Sequence, residues 1–208
     1  MELDLTARED FGHRLLHWAE RFKYPIIFTL VGAIVLSLFL AGLTHWISVR
    51  EGKAEVALFE AHGKPEALEK VVQHFPRSGA ALLALVDLGA ADLAANNFDA
   101  CIRHYDQTYT KAGRLAFFRV MALQGKGVCQ RGKGDFKASA ETFERAAKEP
   151  GNVASAASRF EAVRSLALAK DPNVKKQFED LLQTKDLPPD LKNQIEEEWI
   201  WLNVQKSF

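Results

Sequence analysis

Two Gly-Lys-Gly triplets, Gly125-Lys126-Gly127 and Gly132-Lys133-Gly134, are the residues of this 208-residue chain that most resemble a site for chemistry. Glycines that free backbone N–H groups beside a lysine can cradle phosphate, but the phosphate loop needs G-x-x-x-x-G-K-[ST], and neither triplet has that spacing. His13 and His17 form an H-x-x-x-H pair that sets two imidazoles on one helical face. A metal would need a third ligand, and none stands nearby in sequence. Glu196-Glu197-Glu198 gathers three carboxylates, yet consecutive helical residues diverge by about 100° and do not converge on one ion. That run reads as a solvated face. No Ser-His-Asp order appears, so the sequence predicts no enzyme, no catalytic or metal residue, no cofactor and no small-molecule substrate.

Cys101 and Cys129 are the only thiols and form no CxxC pair. Two cysteines are too few for a disulfide framework. Buried thiols act as small hydrophobes, and a bridge between these two is conceivable if the domain lies outside the cytoplasm. Lys and Arg together number 27, equal to Asp and Glu. Residues 1–23 hold four basic and five acidic side chains, so neither that tail nor the remainder has the basic excess that phosphate neutralisation demands. A nucleic-acid partner is therefore not expected.

Internal repetition organises the stretch that holds the triplets and the cysteines. Three windows align at a constant offset of 38 residues: Gly89, Gly127 and Ser165; Ala91, Cys129 and Ala167; then Asn97-Phe98, Asp135-Phe136 and Asn173-Val174. Cys101, Ser139 and Gln177 follow, then Tyr105, Phe143 and Leu181, then Thr108, Ala146 and Thr184. A small residue in a first helix lets a second approach closely. Asn or Asp makes the turn and is placed to cap the next helix. The residue after the turn and the one seven later share a face and pack back on the first helix. The expected fold class is all-α, a solenoid of hairpins over about 80–113, 118–151 and 156–187. Gly63-Lys64-Pro65 breaks a further hairpin upstream, and Pro188-Pro189 introduces a capping helix over 189–206.

Leu88-Gly89, Asn96-Asn97-Phe98, Cys101, Tyr105 and Thr108 resemble a tetratricopeptide repeat, and Gly127, Gly134-Asp135-Phe136, Ser139, Phe143, Ala146 and Pro150 resemble it more closely. The resemblance implies a partner groove lined by first helices. Carried onto this chain, it comprises Leu83, Val86, Ala90 and Leu93, then Met121, Gln124, Val128 and Arg131, then Arg159, Ala162, Leu166 and Lys170. Val86 and Ala90 stand where the family's carboxylate clamp has Lys and Asn, which disfavours a receptor for dicarboxylate tails. Such an apolar groove accepts an apolar peptide, or another helix of the chain fills it. In the last helix, Leu191, Ile195, Trp199 and Leu202 form a core-facing stripe, and Trp201, Val204 and Phe208 form a second stripe proposed as a contact surface.

Ahead of the repeats, residues 24–49 contain no Asp, Glu, Lys or Arg. The span from Ile26 through Val31, Leu36 and Leu40 to Trp46 would rise about 30 Å as a helix, the thickness of a bilayer's hydrocarbon. Residues 1–23 are a long, acid-bearing tail, with Phe11, Leu15, Trp18 and Phe22 on one helical face. That tail and the lack of an A-x-A-like site favour an uncleaved anchor over a signal peptide. Arg8, Arg14, Arg21 and Lys23 against Arg50, Lys53 and Lys64 lean towards a cytoplasmic N-terminus, with residues 50–208 on the far side.

The order of tail, span and degenerate tetratricopeptide hairpins resembles the YfgM-like family of ancillary SecYEG translocon subunits, most clearly over Phe75–Tyr109. The resemblance implies a bacterial inner-membrane protein with a periplasmic domain. Its partners would be the translocon, chaperones or emerging client polypeptides. A scaffold for another membrane-bound complex is the alternative.

Overall fold

A computed structural model describes residues 5–185 and 187–204, with side chains described from Tyr24 onward except those of Ile26 and of 202–204. Among the described residues all regular structure is helical: α1 (Leu5–Ala61), α2 (Pro65–His74), α3 (Gly79–Ala94), α4 (Phe98–Ala112), α5 (Ala116–Lys133), α6 (Phe136–Lys148), α7 (Ser155–Leu168), α8 (Val174–Leu182) and α9 (Pro189–Val204). The chain divides into two compact units, Met1–Arg50 and Glu51–Phe208.

Among the described residues, α1 is long and apolar enough from Ile27 onward to cross a membrane, and none of its most apolar window is buried by the rest of the chain. Val31, Leu36, Leu40 and Trp46 are all exposed, whereas the side chain of Ile26 lies outside the described residues. The hydroxyls in this stretch are turned back on the helix. Thr29 donates to the Pro25 carbonyl at 3.0 Å, Ser37 to that of Ala33 at 2.7 Å, and Thr44 to that of Ala41 at 3.0 Å. In hydrocarbon an unpaired hydroxyl would cost several kcal/mol, so this local pairing makes the polar residues compatible with lipid. The bond from Thr29 reaches the carbonyl of the proline inside α1. The Arg50 guanidinium lies 5.5 Å from the Trp46 ring centroid.

The second unit is built from helices that pack in chain order. The end of α1 contributes Ala54 and Ala61 to a cluster with Leu68 and Val71 of α2 and Ala80, Ala84 and Leu88 of α3. Val86 and Leu93 then pack on Cys101, Ile102 and Tyr105 of α4 and Cys129 of α5. At the far end Phe160 and Val163 of α7, Val174, Phe178 and Leu181 of α8 and Ile195 of α9 close the last core.

Close approach between these helices is set by glycine. A Cβ at Gly89 would fall 2.8 Å from the Tyr105 ring, and one at Gly127 would fall 2.8 Å from the Phe143 ring. The two pairs have the same spacing of sixteen, within α3–α4 and within α5–α6. Between those hairpins, Gly125 meets Tyr105 and Gly132 meets Phe98, each so closely that a Cβ would lie inside contact distance. Phe98 and Tyr105 are seven apart on α4, as Gly125 and Gly132 are on α5, in the opposite sense. The two helices therefore run antiparallel, two rings seated in two glycine sockets.

Helix ends follow the punctuation. Lys64 leads into Pro65 at the first turn of α2, Asn96 turns the chain at φ 58°, and Gly134 ends α5 in the left-handed region at φ 91°. Capping differs from the sequence expectation. Asn97, Asp135 and Asn173 precede α4, α6 and α8 but make no side-chain cap bond. Ser78 does cap α3, accepting the Ala81 N–H at 3.1 Å while donating to the Phe75 carbonyl at 2.8 Å.

Candidate functional site

The first-helix positions of the implied groove fall into three environments. On α3, Leu83 and Ala90 are exposed, whereas Val86 and Leu93 pack towards α4. On α5, Met121, Gln124, Val128 and Arg131 are all half-buried. Gln124 donates to the Ser158 hydroxyl at 3.1 Å, and the Arg131 guanidinium meets Glu161 at 2.5 Å while lying 5.4 Å from the Phe143 ring centroid. On α7, Arg159 lines a depression of about 260 Å³ with Glu144, Gln177 and Asp180, on the side facing α6 and α8. Leu166 packs into the terminal core, Ala162 is buried, and Lys170 is exposed beyond the helix.

From α7, Ser158 and Glu161 meet Gln124 and Arg131 of α5. The offset of 38 holds for α4, α6 and α8, which begin at Phe98, Phe136 and Val174, and so carries through the 149–154 connection. Its geometry is fixed by Asn152, which donates to the Ala146 carbonyl at 2.6 Å, and by Ser155, which donates to the Ala147 carbonyl at 2.7 Å.

Glu161 sits between two cations. One oxygen takes Arg131, and the other takes Arg164 at 2.9 Å; Arg164 in turn reaches Glu198 of α9 at 2.9 Å. Sequence reasoning set Glu198 on a solvated face, but one residue of that acidic run is a tie between α9 and α7. Nothing local marks it, because its partner is 34 residues away.

Ile195, fully buried, together with Leu191 and Trp199, docks α9 on the terminal core, where the Phe178 and Trp199 rings lie 5.7 Å apart. In the second stripe Trp201 is 55% exposed. The side chains of Leu202 and Val204, and the whole of Phe208, lie outside the described residues.

Cys101 of α4 and Cys129 of α5 form a disulfide, with Cα atoms 6.1 Å apart and both residues fully buried. It cross-links the antiparallel pair that Phe98 and Tyr105 also hold together. Three of the four glycines in the Gly-Lys-Gly triplets are accounted for by the same packing, and Gly134 ends α5. Gly125 and Gly127 receive rings from α4 and α6 on opposite faces of α5, and Gly132 receives Phe98. Their lysines point to carboxylates, Lys126 to Asp106 at 2.7 Å and Lys133 to Asp99 at 2.9 Å. His13 and His17 lie among residues whose side chains are not described. Among the described residues no cluster of His, Cys, Asp or Glu has a metal-holding arrangement.

The Lys133 hydrogen bond, and then its charge, hold the Asp99 carboxyl below its ordinary value of 3.8. A lowered carboxyl value means that the pair's contribution is present above the unfolded-state value and is lost as pH falls through the folded one. The expected result is an Asp99 titration midpoint below 3.8 by carboxyl NMR, restored towards it by Lys133→Met; an unchanged midpoint in that variant would refute the assignment.

Comparison with protein-family models, with characterised proteins and with solved structures gives no match to this chain.

Proposed function

We propose that this chain is a single-pass membrane protein whose second unit is a tetratricopeptide-like interaction module. Held on the periplasmic side of a bacterial inner membrane, it would dock chaperones or emerging chains beside the protein-translocation machinery. The observation that carries the module is the repeated contact of a first-helix glycine with the aromatic residue sixteen positions later, Gly89 with Tyr105 and Gly127 with Phe143. The exposed apolar stretch of α1 supports the anchor. The buried Cys101–Cys129 bridge supports a domain outside the cytoplasm, because disulfides persist where the compartment is oxidising.

A photo-crosslinker at Leu83 or Met121 tests the docking role. A heterogeneous ladder of secreted chains supports it, and one stoichiometric band refutes it in favour of a scaffold. The second reading has its own support, since Gln124, Arg131 and Leu166 spend their side chains on internal contacts and leave a shorter groove for a client.

The anchor makes a separate prediction. Leu36→Arg places a charge near the middle of the span and costs about 3 kcal/mol of insertion free energy. A larger share of that variant should be extracted from membranes by alkali than of the native chain, whereas Leu36→Phe should behave as native. Equal extraction of the arginine variant and the native chain would count against a spanning helix.

A further inference from the structure

Loops that are far apart in sequence gather at one end of the second unit, the end that begins with Glu51. The Glu51 carboxylate accepts the Gly79 N–H at 3.4 Å, which brings the α2–α3 connection there. Lys111, in the last turn of α4, donates to the Pro76 carbonyl in that connection at 3.5 Å. Arg119 bonds the Gly113 carbonyl at 3.2 Å and Glu149 at 2.5 Å, adding the α4–α5 and α6–α7 connections. Gly151 closes the set, its Cβ position lying 3.4 Å from that of Ala116.

This end carries apolar side chains that the fold leaves uncovered: Leu115 at 53%, Phe117 at 67% and Val153 at 103% exposure. Single exposed apolar residues are ordinary. Here three stand within two residues of the Ala116–Gly151 contact. Arg77, Lys111 and Arg114 are exposed on the same connections or beside them, while the acid of the α6–α7 connection, Glu149, is paired with Arg119. Apolar tips ringed by cations are what an anionic bilayer surface accepts: the tips enter the headgroup layer and the cations meet phosphates.

The chain itself supplies that surface. Glu51 follows the anchor unit directly, and five residues separate it from Trp46, a distance of at most about 18 Å however the backbone runs. We propose that the Glu51 end of the helical unit rests on the lipid surface, with Leu115, Phe117 and Val153 in the headgroup layer and Arg77, Lys111 and Arg114 on phosphates. This rests on the anchored reading above and adds a second attachment, which would fix the height and facing of the module over the membrane.

The test uses the full chain in nanodiscs of phosphatidylcholine and phosphatidylglycerol. An environment-sensitive fluorophore is placed on Val153→Cys and, separately, on Lys137→Cys, both exposed; the native cysteines are bridged and buried. Lys137 lies on α6 about 18 Å along the helix from Glu149, away from the Glu51 end. Nitroxide lipids labelled near the headgroup should remove most of the emission at position 153 and little at 137. Arg77→Glu with Arg114→Glu should restore much of the lost emission. If the chain incorporates and both positions keep their emission, the surface contact is refuted while the anchor stands. A blue-shifted label at 153 that lipid nitroxides do not quench would assign the patch to a protein instead, and overturns the proposal equally. Failure to incorporate overturns the anchor together with it.

Discussion

Replacing Cys101 and Cys129 together by alanine should destabilise the helical unit by roughly 3–4 kcal/mol. The bridge closes a loop with a sequence separation of 28, and the entropy removed from the unfolded chain by a loop of that length is worth about 3.5 kcal/mol. Loss of two fully buried sulfurs acts in the same direction. For a unit of this size the melting temperature should fall by roughly 7–14 °C. Far-UV circular dichroism of the full chain in mild detergent reads the change. Native chain in mild reductant should keep its melting temperature for long periods, because a reductant must reach a sulfur that the folded helices cover. Equal melting of the alanine variant and the native chain would show that the bridge constrains nothing that the packing does not already hold.

That bridge joins α4 to α5, the helices in which sequence and structure differ most instructively. The hairpins themselves are visible in the sequence because their punctuation is local. Gly63-Lys64-Pro65, Asn96-Asn97, Gly134-Asp135 and Pro188-Pro189 each stand at or beside the end of an observed helix. The apolar stretch after Tyr24 is equally plain, because length and the absence of charge suffice to mark it. What requires the fold is every contact whose partner is remote. A helical glycine reads as a weak point or a loop until the ring that fills its socket is known. Gly132 finds Phe98, and Glu198 finds Arg164, each 34 residues away. The bonds by which Asn152 and Ser155 fix the start of α7 are also unseen in the sequence, because each reaches back to a carbonyl of α6. Asn97, Asp135 and Asn173 likewise stand at turns without serving as side-chain caps, so residue type located the turn but not the bond that closes it.

The socket at Gly125 should be the point where the smallest added volume does the most harm. Tyr105 is held from two sides, by Gly89 of α3 and Gly125 of α5, and a Cβ at either glycine would press on its ring. The ring is 6% exposed and has no direction of retreat that does not disturb one helix or the other. Gly125→Val should therefore cost about 2–3 kcal/mol net of overpacking, after a gain of about half a kcal/mol in helix propensity over glycine. Gly79→Ala is the control. It lies at the start of α3 with nothing within 4 Å of the added Cβ, so it should be neutral or slightly stabilising. The two substitutions add carbon to the same residue type on neighbouring hairpins, and only the socket distinguishes them. Shortening the ring should relieve the valine: Tyr105→Leu with Gly125→Val should melt above Gly125→Val alone, although Tyr105→Leu is itself destabilising in the native background. Such a sign reversal gives a coupling of about 1–3 kcal/mol, the size expected of residues in direct contact. If the two substitutions simply add, Tyr105 does not occupy the Gly125 socket in solution, and the antiparallel seating of α4 on α5 must rest on Phe98, Gly132 and the disulfide.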